Sequence, residues 1–75
     1  MRRGGGVHTV SSPSGKRWWN KVDGKVVSRH RTKETAVEAG RAIARKLRAE
    51  HTIHRSDGVI TEANSYGNDP REIPG

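Results

Sequence analysis

Two periods run through the chain. From residue 7 to residue 31 the apolar side chains form short β-forming clusters: Val7-His8-Thr9-Val10, then Trp18-Trp19, Val22 and Val26-Val27. Between residues 33 and 50 the period becomes helical. Ala36, Gly40, Ile43 and Leu47 recur in one stripe, with Val37 and Ala44 beside them. His51-Thr52-Ile53-His54 and Val59-Ile60-Thr61 then resume the strand pattern around Ser56-Asp57-Gly58. This order predicts the α+β class: a small antiparallel sheet in β-ββ-α-ββ order with one helix packed across one face. The short first cluster, Val7–Val10, is expected at the sheet edge.

The punctuation agrees with those elements. Ser11-Ser12-Pro13-Ser14-Gly15 is dense in turn residues and reads as a loop. Thr32 is placed to N-cap a helix from Lys33 to about Glu50. Glu34 and Glu38 stand near its start, and Arg45, Lys46 and Arg48 near its end, an order that suits the helix dipole. Gly40 in mid-helix costs up to about 1 kcal/mol of propensity, and a close approach of helix to sheet, over Trp18, is the expected compensation. From Ala63 onward no period survives. The expected division is a flexible basic N-terminus over 1–6, one α+β domain over 7–62, and an extended tail over 63–75 pinned by Tyr66.

Asp23-Gly24, between Arg17–Val22 and Val26–Arg31, is a hairpin signal. Turn length decides which side chains share a face. A two-residue turn puts Trp18, Asn20, Val22, Lys25, Val27 and Arg29 together. A three-residue loop, Asp23-Gly24-Lys25, pairs Val22 with Val26 and gathers Trp18, Asn20, Val22, Val26 and Ser28. The opposite face then holds Arg17, Trp19, Lys21, Val27, Arg29 and Arg31. The second register separates charge better and is the expected one. Either way the two tryptophans point to opposite faces, because neighbours on a strand do. One helix covers one side of so small a sheet, so Trp19 is expected on the open side.

Composition narrows the function. Seventy-five residues with 29% hydrophobic content and no Phe make one domain with a thin core. Cysteine is absent, which excludes disulfides and thiolate metal sites. No apolar stretch approaches the roughly 20 residues of a membrane span, and Met1-Arg2-Arg3-Gly4-Gly5-Gly6 is not followed by a signal-peptide core. A soluble, cytoplasmic protein with no membrane partner is expected. The net charge is +7, unevenly spread: residues 1–55 carry fourteen basic and four acidic residues, and residues 56–75 carry one and four. Such a field favours nucleic acid or an acidic protein partner.

Arg17, Trp19, Lys21, Lys25, Arg29 and Arg31 have the chemistry that nucleic acid requires. Cations neutralise phosphates, arginine reads guanine edges, and an exposed indole stacks on a base or wedges a step. The competing explanation is a solvated edge hairpin guarded by charge. Arg41, Arg45 and Arg48 form a second basic row on the helix, ordinarily a solvated face. Arg2 and Arg3 could form an arm reaching a minor groove or simply a solubilising terminus. His51 and His54, three apart on a strand, point to opposite faces and cannot chelate one ion together. No metal or other cofactor is expected. No nucleophile motif, phosphate loop or pocketed carboxylate pair is present, so no catalysis is expected.

Trp18-Trp19-Asn20-Lys21, Thr32-Lys33, Ala39-Gly40-Arg41, Ala44-Arg45, His51 to His54, Asp57-Gly58, Ile60, Glu62 and Ser65-Tyr66-Gly67-Asn68-Asp69-Pro70 together resemble a small bacterial and phage family, domain-of-unknown-function family 2188. The resemblance spans roughly residues 7 to 70. It implies a one-domain α+β protein of actinobacterial or phage source and no assigned activity. The family pattern asks for one tryptophan, at Trp18, so Trp19 is this chain's own addition. In architecture, a three-stranded sheet backed by one helix with Trp and Arg on its open face is also similar to plant AP2-type and integrase N-terminal DNA-binding domains, which lay the sheet in the major groove.

The expected function is therefore nucleic-acid binding, DNA before RNA, through the open face of the basic hairpin. The alternative is a protein-interaction module, such as a phage product docking on a host factor through Trp19 and the Ser65–Pro70 segment. A homodimer covering Trp19 is compatible with either.

Overall fold

The computed structural model describes residues 6–66. Five strands and one helix follow the expected order: β1 (Val7–Ser11), β2 (Trp18–Val22), β3 (Lys25–His30), α1 (Lys33–Leu47), β4 (Glu50–His54) and β5 (Ile60–Ser65). The strands form a single sheet ordered β3-β2-β1-β4-β5, so the fold is α+β. Residues 1–5 of the expected N-terminal arm, and residues 67–70 of the Ser65–Pro70 segment, lie outside the described residues.

One placement differs from expectation. β1 is the central strand, not an edge, and its pairing with β4 is parallel (Val7↔His51, His8↔Thr52, Thr9↔Ile53), which makes the sheet mixed. The cause is the helix. β3, β2 and β1 are antiparallel in turn, and α1, about 22 Å long at 1.5 Å per residue, then carries the chain back across the sheet. The next strand consequently runs in the direction of β3 and β1 and settles on the free side of β1.

The hairpin turn is the shorter of the two considered. Val22 pairs with Lys25, and both central residues are left-handed, Asp23 at φ 54° and Gly24 at φ 81°. This is the twist-matching two-residue geometry that Asp-Gly favours. The pairing then shifts by one residue: Lys21 faces Val26, but Asn20 faces Ser28 and Trp19 faces Arg29. A bulge at Val27 thus reconciles a short turn with the face separation expected from a longer one.

Thr32 caps α1, its hydroxyl accepting from the Thr35 N–H at 3.2 Å. The helix stops at Leu47, before the expected Glu50, because Arg48 adopts a left-handed conformation (φ 54°) and its N–H turns back to the Ala44 and Arg45 carbonyls. Ala36, Gly40 and Ala44 form the buried stripe, four residues apart. β5 continues to Ser65, three residues past the expected end of the domain at residue 62. It is exposed along its whole length, so its pairing with β4 needs no apolar alternation and leaves none to read. The Tyr66 N–H continues the contact, donating to the Ala49 carbonyl at 3.2 Å.

Among the described residues the buried apolar side chains are few: Val7, Ala36, Ala44 and Ile53. Thr9, Asn20 and His51 are buried among them. Thr9 donates its hydroxyl to Asn20 Oδ1 at 2.6 Å, and the Asn20 amide donates to the Ala36 carbonyl at 2.9 Å. Since the Thr9 proton is committed to Asn20, His51 Nε2–H must be the donor in its 2.7 Å contact with Thr9 Oγ1. These three side chains lie directly beneath Gly40, where a Cβ would sit within 2.8 Å of all of them. The close approach inferred from Gly40 is real, but it falls over Asn20 and not over Trp18.

Candidate functional site

Side chains on β2 alternate as a strand requires. Asn20 enters the core, and Trp18 shares its face, with the Lys33 ammonium 5.6 Å from its ring. Trp19 and Lys21 project from the opposite, helix-free face. Trp19 lies between Val10 on β1 and Arg29 on β3, and Lys21 lies beside His8. The Arg29 guanidinium stands over the half-buried indole, 5.7 Å from its centroid. This is a cation–π pair that also holds the guanidinium plane at the surface.

The six basic and aromatic residues singled out in the sequence are not one cluster. The structure brings Trp19, Lys21 and Arg29 together on adjacent strands. Arg17 immediately precedes β2 and Arg31 immediately follows β3, both exposed. Lys25 departs from the set: it pairs with Val22, and cross-strand partners share a face, so it belongs to the helix side at the hairpin tip. Its expected place on the open face followed from the longer loop, which the two-residue turn replaces. Arg41 and Arg45 are exposed on the helix and Arg48 at its C-cap, and Arg45 packs its guanidinium 5.6 Å from the Tyr66 ring centroid, which gives that arginine a structural role.

An unanticipated pair completes the open face. His8 Nδ1 and His54 Nε2 are 3.1 Å apart, with ring centroids separated by 5.3 Å. Such a bond holds only while one nitrogen carries the proton and the other offers a lone pair. Burial, and then the charge of His54, push His8 below the ordinary imidazole value of 6.5, partly offset by Glu50. The two rings are 46 positions apart in the chain, and only the parallel β1·β4 pairing joins them. The one available signal was that His54 must face away from His51. Among the described residues no three His, Cys, Asp or Glu side chains gather to hold a metal ion, and no helix is long and apolar enough to cross a membrane.

His51 titrates against stability. Burial first, then the Arg41 charge and His8, lower it from 6.5, with Glu62 opposing. The unfolded chain therefore binds this proton more readily than the folded one. Stability is complete above pH 6.5 and declines as the pH falls below it. Urea denaturation should give a lower midpoint at pH 5 than at pH 7.5, and His51→Gln should reduce that difference. An unchanged pH dependence in the variant would remove His51 as its source.

No curated protein and no solved structure matches this chain. The model of the family described as "Uncharacterized protein conserved in bacteria", domain-of-unknown-function family 2188 (DUF2188), matches residues 7–66, from the start of β1 to Tyr66. The chain belongs to that family.

Proposed function

We propose that the open face of the sheet binds nucleic acid, as a binding module without catalysis, in the cytoplasm. The observation that carries this reading is the Trp19–Arg29 pair beside Lys21 on the one face that no helix covers. Cations there neutralise phosphates, and the exposed part of the half-buried ring stacks on bases. Arg17 and Arg31 flank the face and extend its positive field, and the fourteen-to-four basic excess over residues 1–55 supplies long-range attraction. Lys25, on the other side of the hairpin tip, is left with a minor role.

Titration with mixed-sequence DNA at two salt concentrations tests the reading. Affinity should fall steeply as salt rises. Trp19→Ala should weaken binding by about 1–3 kcal/mol, the usual worth of one stacked base. Arg45→Ala, on the helix, should matter little. Absence of binding even at low salt would sink the proposal.

Ile60 and Val27, 58% and 53% exposed, favour a second reading, in which the same sheet docks a partner protein or a second copy of the chain. Capture of one protein regardless of salt would support it. So would a hydrodynamic mass near twice 8.3 kDa that Trp19→Ala abolishes.

A further inference from the structure

Resting on that reading, we infer that the ligand of the open face is single-stranded nucleic acid, whose unpaired bases lie flat across β2, β1 and β4. Two observations carry the inference. The first is the width of the sheet. Five strands at about 4.8 Å spacing span about 19 Å between the outer backbones, whereas the major groove is about 12 Å wide. A two-stranded ribbon enters such a groove, but β2 is no part of a free ribbon. All five of its residues are paired to β1, from Val7↔Val22 to Ser11↔Trp18, and β4 and β5 continue the sheet beyond. Sheet twist gives no escape, since about 20–25° per strand sets β4 and β5 across the line of the groove. Trp19 cannot then reach the base edges of an intact duplex without driving β4 and β5 into its phosphate walls.

The second observation is the number of rings. Besides Trp19 on β2, the open face presents the imidazoles of His8 on β1 and His54 on β4, held together at 3.1 Å. Indole, imidazole and guanidinium planes are the surfaces on which splayed, unpaired bases stack. Arg29 and Trp19 face each other across β3 and β2 with Val10 next on β1, and the His8–His54 pair lies on the same face, His8 two residues along β1 from Val10 and diagonal to Trp19. In a duplex the base faces are already stacked on one another and such a set of rings has nothing to bind.

Labelled oligothymidylate, oligouridylate and a DNA duplex, each of about 20 nucleotides or base pairs, exceed the roughly 4–16 nucleotides covered by one small β-domain. Their affinities are compared by anisotropy at one low salt concentration. The single strands should bind at least about tenfold tighter than the duplex. Trp19→Ala should erase about tenfold of single-strand affinity while changing duplex affinity much less, and His8→Gln with His54→Gln should act in the same direction. A preference between the two single strands reports the sugar together with the C5 methyl of thymine. Duplex binding equal to or tighter than single-strand binding overturns this inference and leaves the nucleic-acid reading standing. Failure of all three ligands removes both. In a Trp18→Phe background the emission of Trp19 should be quenched by the single strands. Should that variant not fold, the anisotropy series on the unaltered chain decides alone.

Discussion

Gly40→Ala should destabilise the protein by about 3 kcal/mol, although helix propensity alone would stabilise it by about 1 kcal/mol. The added methyl would come within 2.6 Å of Asn20 Oδ1 and His51 Nε2 and 2.8 Å of Thr9 Oγ1. None of the three side chains can swing aside freely, since each is bonded to another and all are at most 1% exposed. Making room means either breaking one of those bonds, at about 1–3 kcal/mol for the group left unsatisfied, or lifting the helix from the sheet. Lifting it would strip contacts from Ala36 and Ala44 as well. The steric and hydrogen-bond costs together are about fourfold the propensity gain. Urea melts of the two proteins measure the difference, and a more stable alanine variant would show that the helix does not sit where the structure places it.

Thr9→Val should cost about 2–4 kcal/mol while leaving shape almost unchanged. It removes the one hydroxyl that serves two buried partners, so Asn20 Oδ1 loses its donor and His51 Nε2–H its acceptor. Thr9→Ser is the informative companion. It keeps the oxygen and deletes a methyl, for which about 1 kcal/mol is the ordinary cost. If the valine variant proves the milder of the two, the polar network is not what holds β1, β2 and β4 in place. The ordering serine-then-valine in severity would establish that it is.

Local features were legible because they need only neighbouring residues. The helix and its Thr32 cap, the turn at Asp23-Gly24, and the splitting of Trp18 from Trp19 follow from spacing along a few positions. Trp19 and Lys21 share the open face for the same reason, whereas Arg29 joins them only because the bulge at Val27 offsets the short turn. What escaped is made by pairings between distant segments. The central place of β1, the His8–His54 contact and the Thr9–His51 contact all depend on the parallel β1·β4 pairing, with 46 and 42 positions between the paired histidines and between Thr9 and His51. The core was hard to see for a further reason. Thr9, Asn20 and His51 read as polar positions of half-solvated strands, yet they are satisfied by one another and lie inside. Gly40 announced a close approach, but its target could not be named before the registers of three strands were known. Lys25 was misplaced because the turn at Asp23-Gly24 holds two residues and not three, which pairs Lys25 with Val22.

The central place of β1 imposes an order on synthesis. The strand that everything else surrounds is made before its flanking strands, and its parallel neighbour emerges only after the helix. Until β4 leaves the ribosome, the nascent β1 keeps one side of its backbone unpaired, and Thr9 lacks its imidazole donor. The meander and helix can gather earlier, but the interior closes only when His51 arrives, so productive folding waits for the last third of the chain.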